Sequence, residues 1–151
     1  MEQSQAEQQL ASFIAKFSPE IAALARSILA AMKERYPSAI QLVYDNYNAL
    51  AIGFGPSERT SEAIFSIAIF PKWVSLFFLQ GAGLPDPDGI LQGSGKVARH
   101  IRLPSADTLN ELSVKKMMGE ATTRAPFAPR GTPRLIIKSI SAKQRPRRPQ
   151  T

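Results

Sequence analysis

AIFSIAIFPKWVSLFFL, residues 63–79, decides how this chain folds. Two apolar runs, 63–70 and 73–79, meet at Pro71-Lys72. Their length and their aromatic and β-branched content read as strands rather than helices. Each run is apolar on both faces, which predicts central strands with little open surface. Helices cover one face of such a sheet. The other face needs strong curvature, a tail segment or a second subunit, so a homodimer is one expectation.

Upstream of these strands the period is also two. Ile40, Leu42 and Tyr44 alternate with Gln41, Val43 and Asp45. After the turn chemistry of Asp45-Asn46-Tyr47-Asn48, Leu50, Ile52 and Phe54 alternate with Ala49, Ala51 and Gly53. The pair reads as a hairpin, and the small face of its second strand permits another element to come close. Gly55-Pro56-Ser57 then opens a polar loop to Ser61. Earlier still, Leu10, Phe13, Ile14 and Phe17 recur at helical spacing and predict a helix over residues 4–17. Ser18-Pro19-Glu20 stops it and starts another: a capping hydroxyl, a proline suited to the first helical position, and an acid at the positive end of the dipole. The second helix carries Ile21, Leu24, Ile28, Leu29 and Met32 on one face and ends at Pro37.

Downstream, residues 81–95 hold two Pro and five Gly and read as loop. Residues 97–103, VARHIRL, alternate as a fifth strand. Ser105 to Asp107 can cap a third helix over about 107–121, bearing Leu109, Leu112, Lys116 and Met117 and ending near Gly119. Residues 134–140 are a short strand candidate, and AKQRPRRPQT, residues 142–151, is expected to be disordered. The fold class is therefore α+β in two layers: a curved antiparallel sheet of about five strands against two N-terminal helices and one C-terminal helix. Residues 1–125 form the domain, and 126–151 a basic, Pro-rich extension.

Composition narrows the chemistry. The 151 residues include no Cys and one His, so thiolate metal sites and Cys nucleophiles are excluded and any imidazole chemistry falls to His100. No apolar run reaches the length of about 18 residues that spans a bilayer. MEQSQAEQQ lacks the basic-then-apolar order of a secretory signal, making a cytoplasmic protein the default expectation. Residues 1–123 carry 11 Lys/Arg against 12 Asp/Glu, whereas 124–151 carry 8 Lys/Arg and no acid. Such an arm attracts phosphate backbones, so Lys143, Arg145, Arg147 and Arg148 are candidates for nucleic-acid contact. The alternative is a solvated arm that aids solubility.

The densest cluster of unusual residues is GAGLPDPDGILQGSGKVARHIRL, residues 81–103. A phosphate-binding P-loop fails here. Counting back from Gly95 puts Ile90 where Gly is required, Val97 follows Lys96, and a strand follows where a helix is needed. Asp86, Asp88 and His100 are candidate ligands for a divalent cation such as iron; the alternative is that Pro85 and Pro87 flank the acids only to shape a turn. A general anion site is a third reading. Gly93 and Gly95 permit close backbone approach, Lys96 supplies a point charge and Arg99 a bidentate fork. Arg99 shares an otherwise apolar strand face with Val97, Ile101 and Leu103, so it needs a partner. That partner is a ligand or a carboxylate from Asp45, Asp86 or Asp88. Pairing His100 with Ser94 or Ser105 for nucleophilic catalysis is a fourth reading, and paired carboxylates are equally thinly supported.

These residues carry a family likeness. Two helices and a hairpin, then Trp73-Val-Ser-Leu-Phe-Phe, Gly81-Ala-Gly-Leu-Pro-Asp-Pro, and Leu91-Gln-Gly-Ser-Gly-Lys96 followed by Arg99-His-Ile, resemble the YdhG-like domain family, a domain of unknown function, over about residues 5–122. The resemblance implies an antiparallel sheet packed on helices in two layers, and a soluble bacterial protein. Part of that family is labelled a frataxin-like iron chaperone, which implies iron handling through an acidic first helix; here that helix holds Glu2 and Glu7. The expected function is a non-enzymatic binding module for a small anionic ligand or a protein partner. Its groove would lie near Tyr44, Lys72, Trp73, Lys96 and Arg99, with no obligatory cofactor. Nucleic-acid binding through the arm and iron binding are the alternatives.

Overall fold

The computed structural model describes residues 2–125 and 133–149. Helices α1 (Glu2–Ala15) and α2 (Pro19–Arg35) are followed by β1 (Ile40–Asp45), β2 (Leu50–Gly55), β3 (Phe65–Ile69), β4 (Val74–Phe78) and β5 (Arg99–Arg102). Then come α3 (Leu112–Arg124) and β6 (Leu135–Ile140). The fold is α+β, with the two N-terminal helices and the one C-terminal helix that the spacing predicts. Ser18 caps α2 as expected: its Oγ accepts from the Ile21 N–H at 3.3 Å, and Pro19 occupies the first turn. Among the described residues no helix is long and apolar enough to cross a membrane.

Among the described residues the sheet has six strands in the order β5-β4-β3-β2-β1-β6. Strands β1 to β5 form an antiparallel meander. The sheet is mixed rather than wholly antiparallel, because β6 runs parallel to β1. The chain between β5 and β6, which includes α3, returns to the far edge, and parallel neighbours require such a long connection. The register Val43–Ile52–Ile67–Leu76–Ile101 aligns one inward residue from each meander strand. These side chains join Phe13 and Ile14 of α1, Ile28 and Met32 of α2, and Met117 and Met118 of α3 in one core. Phe54, Phe65 and Phe78 are at most 1 % exposed, and each such burial contributes about 1.5–3 kcal/mol.

The third helix departs from its expected bounds. Residues 106–110 form a 3₁₀ turn, and α3 starts at Leu112 and runs through Gly119 to Arg124. A mid-helix glycine costs only about 1 kcal/mol, less than the burial of Met118 and Ala121 around it restores.

The second sheet face is covered by the chain's own polar loop. Residues 56–63 fold back over β1 and β2, where Leu42 is fully buried and Ile40 is 4 % exposed. The small residues make this possible: a Cβ on Gly55 would lie 2.9 Å from the Ala63 Cα, and one on Gly53 would lie 3.7 Å from the Ala63 Cβ. Ser57 Oγ donates to Glu62 Oε1 at 2.6 Å within the loop. Tyr44 Oη bonds Thr60 Oγ1, and Arg134 pairs with Glu58, tying the loop to β1 and to the start of β6. Over β3–β5 the same face is covered by side chains. The Phe70 and Trp73 rings stack at 4.8 Å, the Arg102 guanidinium lies 4.2 Å from the Trp73 ring, and His100 stacks on Phe77 at 4.8 Å.

Residues 142–149 of the segment expected to be disordered are docked against the β1–β2 turn. Arg147 is 6 % exposed. Its Nη2 donates to Asp45 Oδ1 at 2.8 Å and to the Asn46 carbonyl at 2.6 Å, and its guanidinium faces the Phe17 ring at 5.6 Å. The Arg145 N–H donates to the Tyr47 carbonyl at 2.9 Å. One buried carboxylate at the end of β1 thus supplies the anchor that a sequence without apolar residues lacks. Residues 126–132, 150 and 151 of the expected extension lie outside the described residues.

Candidate anion-binding cleft

The loop from 81 to 103 does not assemble the expected site. Gly81 packs so closely on the start of β5 that a Cβ there would lie 2.7 Å from the Arg99 Cβ. Gly93 turns the chain with φ 110°, a conformation that favours glycine, while Gly95 offers its carbonyl to Arg99. Arg99 Nη1 donates to the Gly95 carbonyl and, at 2.8 Å, to the Ala98 carbonyl. The expected carboxylate partner is therefore replaced by backbone oxygens of its own loop. Asp45 is taken by Arg147. Asp86 accepts from the Ile90 and Leu91 N–H groups at 2.9 and 3.0 Å, closing the turn that its flanking prolines shape. Lys96 and Asp88 are exposed.

Distance separates the remaining residues. Arg99 pairs with Phe78 at one end of β4, whereas Trp73 precedes Val74 at the other, about 15 Å away at strand rise. Tyr44 sits on β1 beneath Thr60, three strands from Ser75 in the row Tyr44–Ala51–Ala68–Ser75. Among the described residues no three His, Asp or Glu side chains gather to hold a metal ion. Asp86, Asp88 and His100 are thus not brought together: Asp86 holds its turn and His100 lies on Phe77.

A different combination is assembled instead. The β3–β4 turn, Phe70-Pro71-Lys72-Trp73, forms one wall of a cleft of about 610 Å³. The docked segment supplies the opposite wall through Arg145, Pro146, Arg148 and Pro149, with Asn48 between them. Among the described residues no Asp or Glu lines it. Arg147 points the other way into the protein, which corrects its place among the candidate nucleic-acid contacts: a buried arginine cannot reach a phosphate. The inward anchor leaves its neighbours Arg145 and Arg148 exposed in the cleft, and Arg148 Nε donates to the Lys16 carbonyl at 3.1 Å. Lys143 is exposed and does not line the cleft.

The cleft therefore joins Trp73 and Lys72 from one expected site to Arg145 and Arg148 from another. Sequence reasoning missed Phe70 and Asn48. The turn motif Phe-Pro-Lys-Trp, with aromatics flanking a rigid cationic tip, was the available signal for Phe70. Such a surface can attract an anion by charge and receive a planar group on its rings. Comparison with known proteins yields no matching family model, no matching curated protein and no matching solved structure.

Proposed function

We propose that this protein is a non-enzymatic binding module that takes a small anionic ligand in the cleft between the β3–β4 turn and the docked C-terminal segment. The observation that carries the reading is the lining: Lys72, Arg145 and Arg148 beside two aromatic rings, with no acidic side chain among the described lining residues to neutralise them. Exposed cations with no counter-charge at the same surface attract anions, and Arg adds directional paired donors. The α+β order of helices and hairpin supports keeping the YdhG-like family as part of this reading. Iron handling would need ligands beyond the dispersed trio of Asp86, Asp88 and His100.

Trp73 is the single Trp of the chain and reports directly on its own cleft. Titration with inorganic pyrophosphate, tripolyphosphate and nucleoside triphosphates is expected to change its emission and raise the melting temperature. Lys72→Glu and Arg148→Glu should each suppress both responses. Absence of any response to all these anions in the unmodified protein would sink the reading.

A further inference from the structure

We infer that the occupant of the cleft is single-stranded nucleic acid, with phosphates on Lys72, Arg145 and Arg148 and an unpaired base on the Phe70 ring. The inference rests on the anion-site reading and extends its occupant from a small anion to a chain of linked phosphates. Positive charge continues beyond the cleft at one end. On one side Arg102 of β5 lies over Trp73. On the other side Arg148 is itself tied to the fold, its Nε donating to the carbonyl of Lys16, just past α1. A compact metabolite is ordinarily enclosed by its pocket, with most of its surface buried. An open trough whose positive charge runs on past one end instead suits a polymer carrying one charge per repeat.

The rings decide between single strand and duplex. Arg102, Trp73 and Phe70 form a continuous pile, with Trp73 in contact with both of its neighbours, and Phe70 lines the cleft. Stacking on such a platform needs a base with an open face, which a paired duplex withholds. Pro71, Pro146 and Pro149 stiffen the two walls, so the platform and the cations are held in place before the strand arrives. Phe70 and Trp73 are both half-buried, firm in the fold yet open to a partner.

The test titrates the intact protein with a 12-nucleotide DNA strand, the same sequence as RNA, its duplex, a mononucleotide and inorganic tripolyphosphate. Trp73 emission and oligonucleotide anisotropy are read together. The single strands are expected to bind most tightly and to quench Trp73, and comparison of the two identifies the preferred sugar. Lys72→Ala and Arg148→Ala should each reduce the slope of log affinity against log salt by about 0.7. Phe70→Leu keeps apolar bulk and removes the ring face; it should weaken strand binding about five-fold or more and tripolyphosphate binding by clearly less. Mononucleotide or tripolyphosphate binding as tightly as the strands, or Phe70→Leu weakening both alike, would overturn the nucleic-acid assignment and leave the anion site standing. Tighter binding of the duplex would overturn the single-strand assignment. No response to any of the five ligands would remove the anion site itself.

Discussion

Replacing Arg147 by methionine keeps apolar bulk beside Phe17 and deletes the guanidinium that faces Asp45. The Asp45 side chain, 1 % exposed, then loses its counter-charge. Removing one partner of a buried pair costs about 3–5 kcal/mol. The loss has a ceiling here. If residues 141–149 peel from the β1–β2 turn, water reaches Asp45, so the cost stops at the free energy that docks them. The intact pair is itself imperfect, because Asp45 Oδ2 and Arg147 Nε make no hydrogen bond among the described residues. Removing both charges should therefore cost less than removing either. Amide hydrogen exchange at Arg145, whose N–H is bonded to the Tyr47 carbonyl, reads the docking directly. Arg147→Met should speed exchange there by about 100-fold or more, since about 1.4 kcal/mol is tenfold. The double variant Asp45→Asn, Arg147→Met should recover much of that protection. Unchanged exchange in Arg147→Met, or a double variant equal to the sum of its singles, would refute the buried-anchor argument. The same single variant should also weaken anion binding, because Arg145 and Arg148 lose their fixed positions.

Two glycines test how the sheet is covered. Gly55→Ala forces a Cβ within 2.9 Å of the Ala63 backbone and should cost about 1–3 kcal/mol, whereas Gly119→Ala enters open space in α3 and should gain about 0.5–1 kcal/mol. Equal melting shifts in the two variants would contradict the close approach of residues 56–63. Tyr36, stacked on Phe65 at 5.3 Å, has its pKa pushed up to about 12 by burial, against the opposing charge of Arg35. The unfolded chain ionises near pH 10 and the folded chain later. The stabilisation is therefore complete below pH 10 and is lost as pH rises from 10 to about 12. The slope stays below about 1.4 kcal/mol per pH unit, since solvent reaches part of the ring. Urea midpoints across that range should fall less steeply in Tyr36→Phe, and identical slopes would count against burial of this hydroxyl.

Much of the local structure was legible because its causes are local. The period of two in residues 40–54 and the double apolar runs at 63–79 correspond to β1–β4, and Ser18-Pro19 marks the start of α2. Gly119 misled because glycine often ends helices, and only the packing of Met118 and Ala121 carries α3 past it. The site was half legible. Trp73, Lys72, Arg145 and Arg148 were each singled out, but in separate groups. The cluster from Gly93 to Arg99 drew the argument elsewhere, because a glycine-rich loop beside cations looks alike whether its arginine serves a ligand or its own carbonyls.

The chain's own order of residues determined the element types, the helix start at Ser18, the small face of β2 and the concentration of positive charge after residue 123. Tertiary structure alone decided that β6 joins the sheet beside β1, that residues 56–63 close the second face, and that Arg147 reaches Asp45 across 102 positions. Side-chain periodicity extends over a few residues, so neighbours in the chain reveal it. The partner of a buried charge is chosen by which arrangement of the whole molecule leaves that charge compensated, and no local pattern records the choice.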